Sequence, residues 1–532
     1  MTVRAPEPAG WTTIPAMTAA AARFGDQLAV DDGETRLTYR ELVDAARAFG
    51  ASLVTSGVQP EDRIAIWCFN SARWIVAVLG IWESGATLVP VNTRFKGAEA
   101  GDILARSRAR VLVTVTEFLG TDYVAMLGGS GVDLPDLRTV VVAHGPVPAG
   151  AAGWEEFLGR AGATADREVA RRAAAVRTGD PSDIMFTSGT TGAPKGVVQT
   201  HGRTLCVSND WLRMAELTTD DRYLMVNPYF HMFGLKSGIL AAVGAGTTMF
   251  PQAVFDGQRV LQAVEARRIT VLPGAPTIYQ TLLDHPDRSR YDLGSLRLAV
   301  TGAADIPVAL IRRIRAELPF RTVIGGYGLT EAGTATATSP DDDPETIATT
   351  VGHARPTFEL RTVDGAGVDT PPGVAGEVLL RGGSVMACYL DDPEATAAVL
   401  SPDGWLSTGD LGVLDERGNL RIVGRAKDMY IVGGFNAYPA EIENMLLLHP
   451  DIEQAAVVGI PDTRLGEVGM AFVVLRGGSS PSPEEIIEWC RGHMANYKVP
   501  RSVQILDALP YNATGKVVKD ALRERAALRG SA

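Results

Sequence analysis

At 532 residues the chain is long enough for roughly two to four folding units and a large core. Hydrophobic content of 46% and charged content of 21% are ordinary for a globular protein, and a net charge of −12 argues against bulk attraction to nucleic acid or to an anionic membrane. Any anionic ligand must be held by a few local cations. The cysteines Cys68, Cys206, Cys388 and Cys490 lie far apart with no C-x-x-C pair, so neither a zinc site nor a disulfide framework is expected and a cytoplasmic setting is. Residues 1–26 carry prolines but no continuous apolar run, so no signal peptide is expected. The longest run of apolar and small residues, 238–250, is too short to span a bilayer. Of the 50 basic residues only seven are Lys (96, 195, 236, 427, 498, 516 and 519), so a surviving Lys marks a place where a compact ammonium has a use.

Thr38-Tyr39-Arg40-Glu41 is a capping box, and Leu42, Ala46, Phe49 and Leu53 follow at helical spacing until Gly57. Apolar runs at 63–67, 86–91, 110–115 and 139–143 then alternate with helical stretches, which predicts largely parallel sheets covered by helices. Residues 146–177 read as a partly helical surface connection. Next comes a short buried strand, Asp183-Ile184-Met185-Phe186, running into Thr187-Ser188-Gly189-Thr190-Thr191-Gly192-Ala193-Pro194-Lys195-Gly196. Glycines bring backbone N–H groups close to phosphate oxygens, the hydroxyls of Thr187, Ser188, Thr190 and Thr191 add donors, and Lys195 adds a cation. With Pro194 before Lys195 and Gly196 after it, the loop is not the G-x-x-x-x-G-K-[ST] of kinases and GTPases.

Strand-like runs continue at 223–226, 269–272, 296–300 and 322–324. After them stand Asn227-Pro228-Tyr229-Phe230-His231-Met232-Phe233-Gly234, Gly302-Ala303-Ala304 and Gly325-Gly326-Tyr327-Gly328-Leu329-Thr330-Glu331. The last is a glycine-rich turn with an aromatic face and a carboxylate suited to a hard cation. Ser407-Thr408-Gly409-Asp410 and Gly424-Arg425-Ala426-Lys427-Asp428 follow. A smaller unit begins near residue 425. Its expected elements are a strand pair at 418–424 and 429–432, a helix at 439–448, strands at 455–459 and 470–475, and a helix at 483–494. Gly433-Gly434-Phe435 lies inside it, and Asn512-Ala513-Thr514-Gly515-Lys516 near its end. The fold class is thus α/β: a large N-terminal domain of layered β-sheets covered by helices (1–424), and a small mobile α+β C-terminal domain (425–532).

The segment 187–197 closely resembles the phosphate-binding signature of the adenylate-forming superfamily, which includes acyl-CoA synthetases, firefly luciferase and peptide-synthetase adenylation domains. Six motifs similar to those of the family occur in order between residues 187 and 516. The resemblance implies an acyl-CoA synthetase that joins a carboxylic acid to coenzyme A through an acyl-adenylate, using ATP and Mg²⁺. It implies that Thr187, Ser188, Gly189, Thr190, Thr191, Gly192 and Lys195 hold the phosphates, with Thr190 and Glu331 toward the metal. Gly302 and Ala303 would line the acyl pocket, His231 would border the carboxylate and thiol tunnel, and Gly326, Tyr327, Gly328 and Thr330 would cradle adenine and the α-phosphate. Asp410 and Arg425 would take the ribose, Lys427 would be the hinge, Gly433 and Gly434 would pass the pantetheine arm, and Lys516 would be the adenylation lysine. No acid lies within residues 227–234 to pair an ammonium, which weighs against an amino-acid substrate. Residues 271–280 and 427–443 resemble actinobacterial ligases of steroid-nucleus breakdown. That similarity implies a ring-bearing propanoate, with medium-chain and aryl acids left open. The alternative is an adenylating enzyme that loads a carrier protein. A homodimer, and acetylation of Lys516 by a lysine acetyltransferase reading Pro510-x-x-x-x-Gly515-Lys516, complete the expectations.

Overall fold

In a computed structural model, which describes residues 11–187, 194–302, 308–432, 435–512 and 516–530, the alternation of strands and helices produces two large sheets. One has eight strands, in the order Cys388–Tyr389, Lys195–Thr200, Pro181–Thr187, Thr87–Pro90, Arg63–Trp67, Val111–Val115, Thr139–His144, Ala152–Gly153. Its inner pairs are parallel and buried on both faces, as their unbroken Val, Ile and Leu content requires. The nine-stranded sheet is parallel through Arg222–Met225, Val271–Gly274, Leu298–Thr301 and Thr322–Leu329. The capping box is present: Thr38 Oγ1 accepts from Glu41 N, Glu41 Oε2 accepts from Thr38 N, and the helix runs Tyr39–Thr55.

Two sequence expectations need correction. The glycine-rich segment 325–331 is a turn only from Thr330 on. The strand itself continues through Thr322–Leu329 and folds back on Gly333–Ala337, because residues without bulky side chains allow close antiparallel pairing there. The runs 418–424 and 429–432 are not a pair. Leu420–Arg425 closes a four-stranded sheet with Phe358–Val363, Ala375–Gly382 and Leu406–Leu414, while Tyr430–Val432 opens a separate five-stranded sheet. The four-stranded sheet is wholly antiparallel. Its last two strands are joined by a short polar turn in which Asp415 accepts from the backbone N–H groups of Arg417 and Asn419.

The five-stranded sheet is built on the hairpin Ile452–Asp462 and Gly466–Leu475, with Ser502–Ile505 added in parallel. Helices Pro439–Leu446, Pro483–His493 and Lys519–Gly530 accompany it. No helix among the described residues is long and apolar enough to cross a membrane.

One contact deep in the large domain ties two of the sequence motifs together. After Arg222–Met225 the chain enters a π-helix, Phe233–Leu240, a conformation rare outside functional sites. From it Lys236 reaches Asp183 on the strand Pro181–Thr187, Nζ to Oδ1 3.0 Å, with both side chains essentially inaccessible. Thr204 Oγ1 donates to the same oxygen at 3.2 Å, while Asp183 Oδ2 has no partner among the described residues. Burial lowers the pKa of Lys236 and Asp183 opposes that shift. Breaking such a pair leaves an uncompensated charge in the core. Lys236→Met should therefore cost about 3–5 kcal/mol, read as a fall in the urea midpoint. Lys236→Met with Asp183→Leu should recover most of that loss.

Candidate active site

The expected phosphate-binding segment joins two paired strands. Pro181–Thr187 and Lys195–Thr200 pair antiparallel with Thr187 opposite Lys195, and Thr187 Oγ1 donates to Lys195 O at 3.4 Å. Ser188, Gly189, Thr190, Thr191 and Gly192 lie outside the described residues, but both ends of their segment are fixed. Arg106, on the helix Gly97–Ser107, donates to Pro194 O at 2.6 Å and lies 5.3 Å over the Phe186 ring. Lys195 Nζ lies 4.9 Å from the centre of the Tyr389 ring. The hydroxyl of Tyr389 donates to Glu331 Oε1 at 3.0 Å, so the structure brings Lys195 and Glu331 to opposite parts of one side chain. Burial and the adjacent Glu331 both push the Tyr389 pKa up.

A second group gathers the residues expected around the nucleoside. Thr301 pairs with Gly325 in parallel register, which sets Gly302 against the Gly325–Gly326 backbone. A Cβ on Gly302 would meet Gly326 O at 2.8 Å, so only glycine fits. Ala303 lies outside the described residues. Tyr327 OH donates to Asp410 Oδ2 at 2.6 Å, and Arg425 Nε meets Asp410 Oδ1 at 3.0 Å. The last contact follows from register, since Asp410 faces Arg425 across adjacent strands. Burial and the neighbouring Asp410 raise the Tyr327 pKa, which keeps its hydroxyl a donor. Gly328 pairs with Thr334, and Thr330 sits in the turn that leads to Glu331.

The third group is on the acyl side. The segment 225–229 is braced by Asn70, whose Nδ2 donates to Met225 O and Asn227 O and whose Oδ1 accepts from Tyr229 N. Gly234 packs so closely beneath it that a Cβ would meet Pro228 O at 2.2 Å. His231 Nδ1 accepts from Phe233 N at 3.2 Å, so the neutral ring carries its proton on Nε2. Burial pushes the His231 pKa down to about 4, and the Lys516 ammonium adds to the shift. The Lys516 ammonium thus bears electrostatically on the acyl motif, although the two are far apart in sequence. Lys516 is exposed and held by reciprocal bonds with Asn512: its N donates to Asn512 Oδ1, and Asn512 N donates to its carbonyl.

Lys427 is exposed in the turn between Leu420–Arg425 and Tyr430–Val432. On one side of it Ala426 N donates to Gly409 O, and on the other Asp428 pairs with Arg523 at 2.5 Å. Gly433 and Gly434 lie outside the described residues.

For a cation, the described residues offer no cluster of three or more ligands, and near the hairpin they supply the Glu331 carboxylate. That donor set fits Mg²⁺, which binds through one or two carboxylates and keeps waters and phosphate oxygens in its shell. Arg106, Asn70 and Tyr389 were not singled out from sequence, because each acts on a segment far away along the chain. Lys236 had a signal in the scarcity of lysine.

The comparisons with known proteins agree with this geometry. The AMP-binding enzyme model matches residues 17–390, and the model of the AMP-binding enzyme C-terminal domain matches 441–516. A protein of Mycobacterium tuberculosis named 3-[(3aS,4S,7aS)-7a-methyl-1,5-dioxo-octahydro-1H-inden-4-yl]propanoyl:CoA ligase is 51% identical over 514 residues, covering 96% of this chain and 98% of its own. A ligase of the same name from Rhodococcus jostii is 48% identical over 516 residues, with the same coverage. Among solved structures, the anthranilate CoA ligase AuaEII in complex with anthranoyl-AMP superposes with a TM-score of 0.89 at 28% identity over 98% of both chains. The chain belongs to the AMP-binding enzyme family and is an acyl-CoA ligase of the adenylate-forming superfamily.

Proposed function

We propose that this ligase activates a propanoate side chain carried on a fused-ring hydroindanone, with ATP and coenzyme A as co-substrates. The observation that carries the substrate class is the near full-length similarity to two ligases named for such an acid. The absence of any acid within residues 227–234 supports it, since an ammonium buried there would have no partner in that motif. The same similarity favours free coenzyme A over a carrier-protein thiol.

A carboxylate is a poor electrophile, and transfer to AMP gives its carbon a good leaving group. In the first half-reaction a carboxylate oxygen attacks the α-phosphorus of ATP, an O–P bond forms and pyrophosphate leaves. Lys516 would bridge the carboxylate and the α-phosphate, a role supported by the electrostatic effect of its ammonium on His231. His231, neutral at working pH, would offer Nε2–H without adding charge. Lys195 and the hairpin tip with Thr187 would hold pyrophosphate, and Tyr327, Asp410 and Arg425 the nucleoside. Mg²⁺ held by Glu331, with Thr190 outside the described residues, would supply neutralisation of phosphate charge. In the second half-reaction the thiol attacks the acyl carbon and loses its proton, a C–S bond forms and AMP departs. For this the unit 425–532 would turn about Lys427 and bring Gly433 and Gly434 to the pantetheine path, leaving 1–424 as the body that binds ATP and acid. A cytoplasmic setting belongs to the same reading. Acetylation of Lys516 is supported only by its exposed position and flanking sequence, and a homodimer by no observation in the described residues.

In an ATP–pyrophosphate exchange assay over a panel of acids, hydroindanone propanoates should exchange and free α-amino acids should not. Exchange with amino acids alone would overturn the substrate class. Lys516→Ala should lower exchange about 10²–10³-fold, the loss of one charge-stabilising donor, while a supplied acyl-adenylate still yields thioester. The third expectation concerns pH. His231 titrates low, so no His231 limb should appear in exchange between about pH 5.5 and 8, well above its depressed value. By NMR its pKa should rise in Lys516→Ala, because the like charge that disfavours its protonation is gone.

A further inference from the structure

We propose that Tyr389 is a positioning residue that holds the Glu331 carboxylate and the Lys195 ammonium apart, so that each meets the phosphate-bound metal or the phosphates rather than the other. The inference rests on the reading of Lys195 and Glu331 given under Proposed function. A carboxylate and an ammonium facing one small space would ordinarily close to an ion pair. Here neither makes an ion pair with another described residue. The phenol stands between them instead. Its ring face receives the ammonium, 4.9 Å from the centroid, and its hydroxyl donates to Glu331 Oε1 at 3.0 Å.

The side chain can do this because its backbone is tied to both partners. The two-residue strand Cys388–Tyr389 pairs with the strand that begins at Lys195, with Tyr389 opposite Val197. The next residue, Leu390, donates its N–H to Gly196 O at 2.7 Å. On the other flank Met386 N donates to the carbonyl of Glu331 itself, at 2.6 Å. Tyr389 N donates to Thr396 Oγ1 at 2.9 Å, which anchors the strand to the helix Pro393–Val399. The side chain is buried against Val197, Ala332 and Ala335, so the ring has little room to swing away.

A packing role alone would be served equally well by phenylalanine, and the test uses that. Tyr389→Phe keeps the ring face and the packing but removes the hydroxyl. Its melting temperature should stay near that of the parent. The Mg²⁺ concentration for half-maximal pyrophosphate exchange should rise about tenfold, as for loss of one hydrogen bond to a charged group, with a smaller change in kcat. Mn²⁺ binding in the presence of ATP, followed by electron paramagnetic resonance without the acid, should weaken by a similar factor. Tyr389→Leu should also raise the KM for pyrophosphate, because Lys195 loses its platform.

In a Glu331→Gln background Tyr389→Phe should have little further effect on Mg²⁺ dependence. A parent-like Mg²⁺ and Mn²⁺ response in Tyr389→Phe, or loss of its cooperative melting, would overturn the proposal, the latter by making the residue a core element. If Glu331→Gln itself leaves the Mg²⁺ response unchanged, the reading of the site fails and the proposal with it. If Glu331→Gln shifts the response and Tyr389→Phe does not, only the proposal fails.

Discussion

The buried pair of Lys236 and Asp183 is the constraint on which the catalytic half of the large domain rests. Two charges in a dry core add little net stability, since desolvation offsets most of their attraction. They do restrict geometry. The pair forms only if the π-helix Phe233–Leu240 sits in one register against the strand Pro181–Thr187. That strand ends at Thr187, where the proposed phosphate-binding segment begins, and that helix begins two residues after His231. The ion pair therefore ties the positions of these two segments together.

Around this frame the cations are arranged by kind of partner. Arg425 is neutralised by Asp410, which faces it across adjacent strands. Arg106 is directed at a backbone carbonyl and stacked on Phe186, which stiffens the base of the hairpin. Lys195 is set on an aromatic face, which orients an ammonium without neutralising it. Lys498 and Lys519, outside these groups, pair with Glu441 and Glu443 and serve the smaller unit. Among the described residues Lys195 makes no ion pair, which in a chain of net charge −12 keeps a local cation available.

Close packing of backbone is the other recurring device. Gly234 beneath Pro228 lets one motif fold back on itself, and Gly302 beside Gly326 lets two motifs touch, in both places where any side chain would intervene. The acyl segment 225–229 would still be loose without Asn70, which satisfies two of its carbonyls and one N–H from another part of the chain.

The sequence by itself determined the chemistry and the local elements. A contiguous run of Gly, Thr, Ser and Lys after a buried strand carries the family resemblance in local residues, and the capping box at Thr38 and the strand Arg63–Trp67 follow from periodicity and caps. It misled where pairing partners had to be chosen. The runs 418–424 and 429–432 look like neighbours but belong to different sheets, and the glycines at 325–328 look like a turn but pair as a strand. Only the tertiary structure decided that Tyr389 stands between Lys195 and Glu331, that Asn70 braces the segment 225–229, and that the Lys516 charge bears on His231. Such contacts join residues remote along the chain. Local spacing carries no record of them, because they arise only when sheets and helices with their own local causes pack into one core.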